Sequence, residues 1–406
     1  MTHPATMLSK LRILELGTAV AAPYCCALLA DAGAEVIKVE TAKRPETIRA
    51  NFPMKDDVPG PDRSYYFTIM NRDKLGMTLD LTQESGRQAF LDLVRVSDAI
   101  VENFSAGTMD RLGLSFEVLR RANPGVVLLS MSGFGATGPT KHYIAYGPLL
   151  EGVSGMAALA GYKDKPPTAS AWVYTDYISG MYGVGLVMAA MLGRRNTGRG
   201  CHIDLSQIEV TVNIVADAFL AAANNGAIPV KQENRDEGVF LQGCFPCEGD
   251  DKWIALSVRT EEEWFRLCDA MGNPGWTRQP EFADALARFE NIEALERRVG
   301  EWTKRFSIDD VVSALRRRNL AVSPVLSVAE VLHNEHTRAR HAFVDNPHPI
   351  VGTQPAYASP LYVHGESREL MRHAPLWGQH NDYACKDILG MTQADVERLI
   401  EMKGLR

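Results

Sequence analysis

A single acid, Asp176, stands between a proline-containing loop (KPPTASAWV) and the apolar run YISGMYGVGLVMAAML. A carboxylate at such a place stabilises a helix N-terminus as a first-turn or capping acid. Gly180 and Gly183, inside the run, let another backbone or a ligand approach the helix closely. Upstream, Asn71, Arg72 and Lys74 lie between strand-like FTIM and strand-like MTLDL. Such a cluster is solvated charge by default, and at the mouth of a strand it also allows phosphate contacts. Lys141 and Tyr143 follow the glycine-rich loop SGFGATGP. They can meet a ligand's phosphates or ring, or be a solvated lysine and a half-buried tyrosine.

The elements that must position these groups alternate along the chain. LRILEL (11–16) reads as a strand, Gly17 and Thr18 as the turn after it, AVAAPYCCALLADAG as a helix and VIKVE (36–40) as a second strand. That order predicts a parallel sheet with crossover helices. Helical text at 82–97, the strand AIVENF ending in Asn103 and Phe104, and the strand VVLLSMSGF continue it. The first third is therefore Rossmann-like. The glycine after Gly17 is Gly33, so the dinucleotide fingerprint is missing and neither NAD nor FAD is expected.

Further along, GRRNTGRG (193–200) reads as a turn, and QIEVTVNIVADAFLAAANNG as one helix running to about residue 226. The expected fold is α/β. Residues 1–226 form the first part of the large Rossmann-like domain, 227–237 a linker, 238–330 a smaller α+β domain, and 331–406 a linker and return to the large domain. Residues 345–380 lack periodicity and read as irregular chain.

Bulk composition narrows the function. At 406 residues, two domains are more natural than one. The 46% hydrophobic and 23% charged content is that of an ordinary globular protein. A net charge of -7 gives no whole-chain attraction to nucleic acid or anionic membrane, and local basic patches still allow an anionic small-molecule ligand. The longest apolar run, 181–192, is too short to span a bilayer, and the first residues show no secretory pattern. Seven cysteines in so long a chain suit a reducing compartment, and the cytoplasm is the expected location. Cys244 and Cys247 lack a second C-x-x-C pair, and His333, His336 and His341 lack an acidic partner pattern, so no metal is expected.

Several segments in order carry a resemblance: LRILELGTAVAAPYCCALLADAGAEVIKVE, NRDKLGMTLDL, VENFSAGTMDRLGL, SMSGFGATGP, TDYISGMYGVGLVMAAMLGRRNTGRG and APLWGQHND. Together they resemble the class III CoA-transferases, which include formyl-CoA, carnitine-CoA and succinyl-CoA dependent enzymes and related acyl-CoA racemases. The resemblance covers nearly the whole chain. It implies a Rossmann-like large domain, a small domain, and two subunits threaded through each other as an interlocked dimer, either a homodimer or a pair with a related second subunit.

It also implies that Asp176 is the nucleophile, passing through an aspartyl anhydride and an aspartyl-CoA thioester. Coenzyme A or acyl-CoA is then a substrate, and no cofactor is bound permanently. The similar CoA-contacting positions are Thr18, Ala19, Val20, Lys38, Asn71, Arg72, Lys74, Asn103 and Phe104, joined by Lys141 and Tyr143. One departure stands out: Ser105 and Ala106 occupy the place of Arg-Pro in many relatives. His142 is not followed by the acid that the racemase branch pairs with its histidine, which favours transfer over racemisation. Succinyl-CoA as donor and a substituted succinate such as benzylsuccinate as acceptor is the first expectation, in the context of aromatic degradation. Malate-, mesaconate- or carnitine-like acids are the alternatives, and a non-catalytic CoA-binding subunit is a third class.

Overall fold

The computed structural model describes residues 7–41, 43, 45–170, 172–226, 230–236, 238–360, 362–367 and 372–405. It divides into two compact units: residues 1–158, 168–228 and 335–406, and residues 159–167 with 229–334.

The first unit is built on a six-stranded parallel sheet: β1 (Arg12–Glu15), β2 (Glu35–Glu40), β3 (Leu75–Thr78), β4 (Ala99–Glu102), β5 (Val127–Ser130) and β6 (His202–Asp204). The spatial order is β3-β2-β1-β4-β5-β6. The chain leaves β1 in one direction and returns at β4 to wind in the other. The carboxyl ends of β1 and β4 therefore flank the crevice where such sheets bind ligands. Leu14 sits in register with Ile37 on one side and Ile100 on the other. These strands are almost wholly buried because helices cover both faces of the sheet.

Helices follow in order: α1 (Ala21–Asp31), α2 (Tyr65–Met70), α3 (Glu84–Arg95), α4 (Thr108–Arg111), α5 (Phe116–Ala122), α6 (Gly147–Val153), α7 (Met156–Leu159), α8 (Tyr174–Thr197), α9 (Gln207–Ile214) and α10 (Ala216–Asn225). On one sheet face Phe90, Leu93 and Val94 of α3 pack with Leu14, Ile37, Ile100 and Leu128. On the other, Cys25, Cys26 and Leu29 of α1 and Val187 and Met191 of α8 pack with Ile13, Val101 and Leu129. Burying each such aliphatic side chain contributes about 1.5–3 kcal/mol. A Cβ on Gly180 would lie 3.0 Å from the Ala21 carbonyl oxygen, and one on Gly183 would lie 3.0 Å from Cys25 Sγ. The two glycines of the apolar run thus let α8 lie directly on α1.

Several sequence readings change. FTIM is helical, not strand-like: the Ser64 hydroxyl accepts from Phe67 N–H and starts α2. GRRNTGRG is not a turn throughout, since α8 continues to Thr197 and ends at Gly198 with a φ of 68°. The helix expected to run to residue 226 is broken at Val215 into α9 and α10. The stretch 345–380, read as irregular chain, instead contains most of an antiparallel hairpin, Phe343–His348 with Gly352–Tyr357. Beyond it, His380 Nδ1 accepts Gly76 N–H at 3.0 Å and Asn381 Oδ1 accepts Thr78 N–H at 2.9 Å. The conspicuous APLWGQHND segment so satisfies the free edge of β3.

The second unit centres on an antiparallel sheet of Leu241–Pro246, Trp253–Val258 and Ala321–Pro324. Trp264, Leu267, Leu295, Val299 and Leu315 from its helices fill the core against Leu241 and Leu256. Among the described residues, no helix is long and apolar enough to cross a membrane.

Candidate active site

Asp176 lies in the first turn of α8, whose preceding residue, Val173, takes a left-handed φ of 47°. Its half-buried carboxylate faces the backbone N–H groups of Ala21 and Gly147, beside its own N–H, which donates to Val173 O at 3.0 Å. Ala21 and Gly147 are the first residues of α1 and α6. Three helix starts therefore converge on one acid, and their dipoles favour a negative charge there. A Cβ on Gly147 would come within 2.6 Å of Asp176 Oδ2, so only glycine permits this approach. Burial is the largest influence on the carboxyl and pushes its pKa up to about 6. The three N–H groups oppose that rise, and the charge of Glu151 adds to it. Glu151 is buried, with its carboxylate on the Ser170 N–H and hydroxyl, which ties α6 to the loop before α8.

The turn after β1 brings α1 to this point. Asn103, just beyond β4, clamps Thr18 on both sides: its Oδ1 accepts Thr18 N–H and its Nδ2 donates to Thr18 O, each at 2.8 Å. Ala19 has a φ of 59° and donates its N–H to Glu46 Oε1 at 2.7 Å. Val20 is buried beside Phe67 and Met70. Thr18, Ala19, Val20, Asn103 and Asp176 are thus brought together at the sheet's crevice.

The basic residues are elsewhere. Lys38 is completely buried, and its ammonium donates to Glu15 at 2.8 Å, Gly17 O at 2.9 Å and Glu46 at 2.9 Å. Burial alone would lower its pKa, but Glu15, Glu46 and Glu40 outweigh that and raise it. Lys74 donates to Pro23 O and Asn71 Oδ1 and pairs with Glu15 at 2.7 Å. Burial, helped by Lys38 and opposed by Glu15, lowers its pKa. Asn71 also donates to Phe67 O. Arg72 is fully buried on Asp31, with its guanidinium over the Tyr357 ring at 4.4 Å. Asn71, Arg72 and Lys74, read from the sequence as groups at a strand's mouth, and Lys38 all lie inside and are held by protein partners. For the two lysines the cause is Glu15, a buried carboxylate in LRILEL that draws both inward.

Phe104 donates its N–H to Glu102 at 2.6 Å and lines a cavity of about 300 Å³ with Phe116, Ser130, Ser132 and His202. Burial pushes the Glu102 carboxyl up to about 7. Lys141 and Tyr143 stand on a surface loop, where Tyr143 is exposed and meets Phe134 edge-on. Glu15, Glu46, Gly147 and Glu151 belong to the site without being expected there from sequence. The acid in β1 is the one legible sign of the ion network.

A family model described as CoA-transferase family III matches residues 8–381. The chain is 34% identical over 398 residues to the probable CoA-transferase Rv1866 of Mycobacterium tuberculosis. That match covers 96% of this chain and 49% of the relative, so the chain spans about half of that protein's length. It is 31% identical to the succinyl-CoA:mesaconate CoA-transferase of Haloarcula hispanica, over 92% of this chain and 94% of the relative. Among solved structures, a CAIB/BAIF family protein from Brucella suis superposes with a TM-score of 0.85 at 28% identity, covering 93% of this chain and 98% of that one.

Proposed function

The chain belongs to CoA-transferase family III, a family of enzymes, and from that premise we propose that it carries CoA from a donor acyl-CoA to an acceptor carboxylate by way of Asp176. The observation that carries this reading is the Asp176 carboxylate, half-buried and facing the helix-start N–H groups of Ala21 and Gly147. A carboxylate attacking the donor thioester carbonyl expels CoA thiolate and leaves a mixed anhydride. The thiolate then attacks the aspartyl carbonyl, releasing the donor acid and leaving an aspartyl-CoA thioester. The acceptor carboxylate attacks that thioester, forming a second anhydride and freeing the thiolate again. Thiolate attack on the acceptor acyl carbon yields the new thioester and restores Asp176. Each step places negative charge on an oxygen beside Asp176, where fixed N–H donors need no reorganisation.

In this reading the Thr18–Val20 turn, Asn103 and Phe104 meet CoA, and Lys141 and Tyr143 meet its phosphates or adenine from the surface loop. Lys38, Asn71, Arg72 and Lys74 act from beneath, as the scaffold of the turn. Succinyl-CoA is the donor and a short dicarboxylate the acceptor, on the analogy of the mesaconate-using relative. A bulkier substituted succinate such as benzylsuccinate falls within the same acceptor class. The protein works as a dimer: α6, α8 and α10 expose Leu149, Val153, Met181, Tyr182, Phe219 and Leu220, an apolar surface suited to a second copy.

The test is incubation with succinyl-CoA and hydroxylamine followed by peptide mass spectrometry. A hydroxamate at Asp176, absent from Asp176→Ala, is the expected result. Full exchange by Asp176→Ala would end this reading.

A further inference from the structure

We propose that Glu46 is a positioning residue for the nucleophile: by holding Ala19 in a left-handed turn, it aims the Ala21 N–H at the Asp176 carboxylate and at the oxyanion formed there. The inference rests on the reading of Asp176 as nucleophile. Ala19 is not glycine, yet it has a φ of 59°. Such a conformation is strained in a residue that carries a Cβ and persists only where surrounding contacts impose it. Here the contacts are explicit. Glu46 Oε1 accepts the Ala19 N–H at 2.7 Å, while the bidentate Asn103 clamp fixes Thr18 beside it.

Glu46 is itself held. It is 3% exposed, and its second oxygen accepts from Lys38 Nζ at 2.9 Å. The same ammonium donates to Gly17 O, at the start of the turn. A line of contacts therefore runs from strand β2 through Lys38 and Glu46 to Ala19. Two residues later stands the N–H that faces Asp176. Glu46 does not touch the reacting atoms, and its action passes through the backbone it fixes. Two functions are separable in this one side chain. One oxygen reaches a backbone N–H and sets geometry, while the charge satisfies Lys38 and sets stability.

Two substitutions in the full-length chain separate them. Glu46→Asp keeps the charge beside Lys38 but is one methylene too short to hold both partners. Glu46→Gln keeps the reach and an acceptor oxygen but loses the charge. With succinyl-CoA and mesaconate as probes, Glu46→Asp is expected to lower kcat about 100-fold, the size seen when one oxyanion donor is lost. Its thermal midpoint should fall less than that of Glu46→Gln, and its thioester KM should rise by a smaller factor than kcat falls, because the Thr18–Val20 turn also meets CoA. Glu46→Gln is expected to keep kcat within about fivefold while its thermal midpoint falls, because Lys38 is left under-compensated. A parent-like kcat for Glu46→Asp, or an equal kcat loss in both variants, would overturn the proposal. Asp176→Ala is assayed alongside. If it still exchanges CoA, the nucleophile reading fails. If it is inactive while Glu46→Asp has the parent's kcat, only the role of Glu46 fails.

Discussion

The carboxylate of Asp176 faces the backbone N–H of Ala21, so the first turn of α8 and the first residue of α1 share one negative charge. Burial still dominates and sets the pKa at about 6 against an ordinary 3.8, with Glu151 on α6 adding to the rise. Activity that needs the carboxylate should fall about tenfold per pH step of one below that value. A kcat/KM profile flat from pH 8 to pH 5 would count against it.

The raised pKa has a stability consequence of opposite sense. A carboxyl whose pKa is higher folded than unfolded favours the fold most below the unfolded value, and that contribution is lost as pH rises through about 6. At pH 8 the ionised group should therefore cost up to about 3 kcal/mol, since each tenfold change in proton affinity between folded and unfolded chain is worth about 1.4 kcal/mol. Asp176→Asn should be inactive yet more stable than the parent at pH 8, with the difference shrinking towards pH 4. Thermal denaturation at several pH values measures this.

Gly147 gives a steric test of the same geometry. An added Cβ would sit 2.6 Å from both Asp176 Oδ2 and Val173 Cβ. Gly147→Ala should cost about 1–3 kcal/mol as overpacking. Its kcat should fall at least tenfold in the protein that remains folded. Gly200→Ala is the contrast, because its Cβ would lie 1.8 Å from the Val126 carbonyl oxygen, away from Asp176. Denaturation should expose that damage, while kcat per folded molecule stays near the parent's.

Lys38 distinguishes a scaffold from a ligand contact. Lys38→Met leaves Glu15 and Glu46 buried beside one fewer cation. Breaking such a buried pair costs about 3–5 kcal/mol. The network is shielded from solvent, so the loss should change little with added salt. Urea denaturation at low and high salt tests this. A tenfold rise in acyl-CoA KM at unchanged stability would instead mark Lys38 as a direct phosphate contact.

What the sequence can convey follows from the range of each interaction. Alternation of strand and helix is local, and it predicts the parallel sheet and the turn after β1. FTIM misleads because three apolar residues and a threonine have no decisive period, and the Ser64 cap settles them as helix. The hairpin at Phe343–His348 escapes notice because its pairing depends on contacts between two segments with weak alternation. At the site, the place of Asp176 ahead of the apolar run marks a first-turn acid, and the resemblance gives it the nucleophile's role. Glu46 is not, because a glutamate in a polar loop looks solvated until Lys38 and Ala19 are brought to it. Long-range pairing of charge buries it, and local composition carries no trace of that.

Exposed apolar side chains on α10 carry the last prediction. This helix has no buried residue, while Phe219 and Leu220 are 47% and 62% exposed. A helix so composed gains little from its own unit and needs another surface to cover it. A second copy of the chain supplies that cover in the proposed dimer. Leu220→Asp then places a charge in an apolar interface and should shift the protein towards monomer at micromolar concentration, with loss of CoA exchange. Light scattering coupled to gel filtration reads the mass directly. A dimer of unchanged affinity would show that the partner sits elsewhere, and a parent that is itself monomeric would remove the premise.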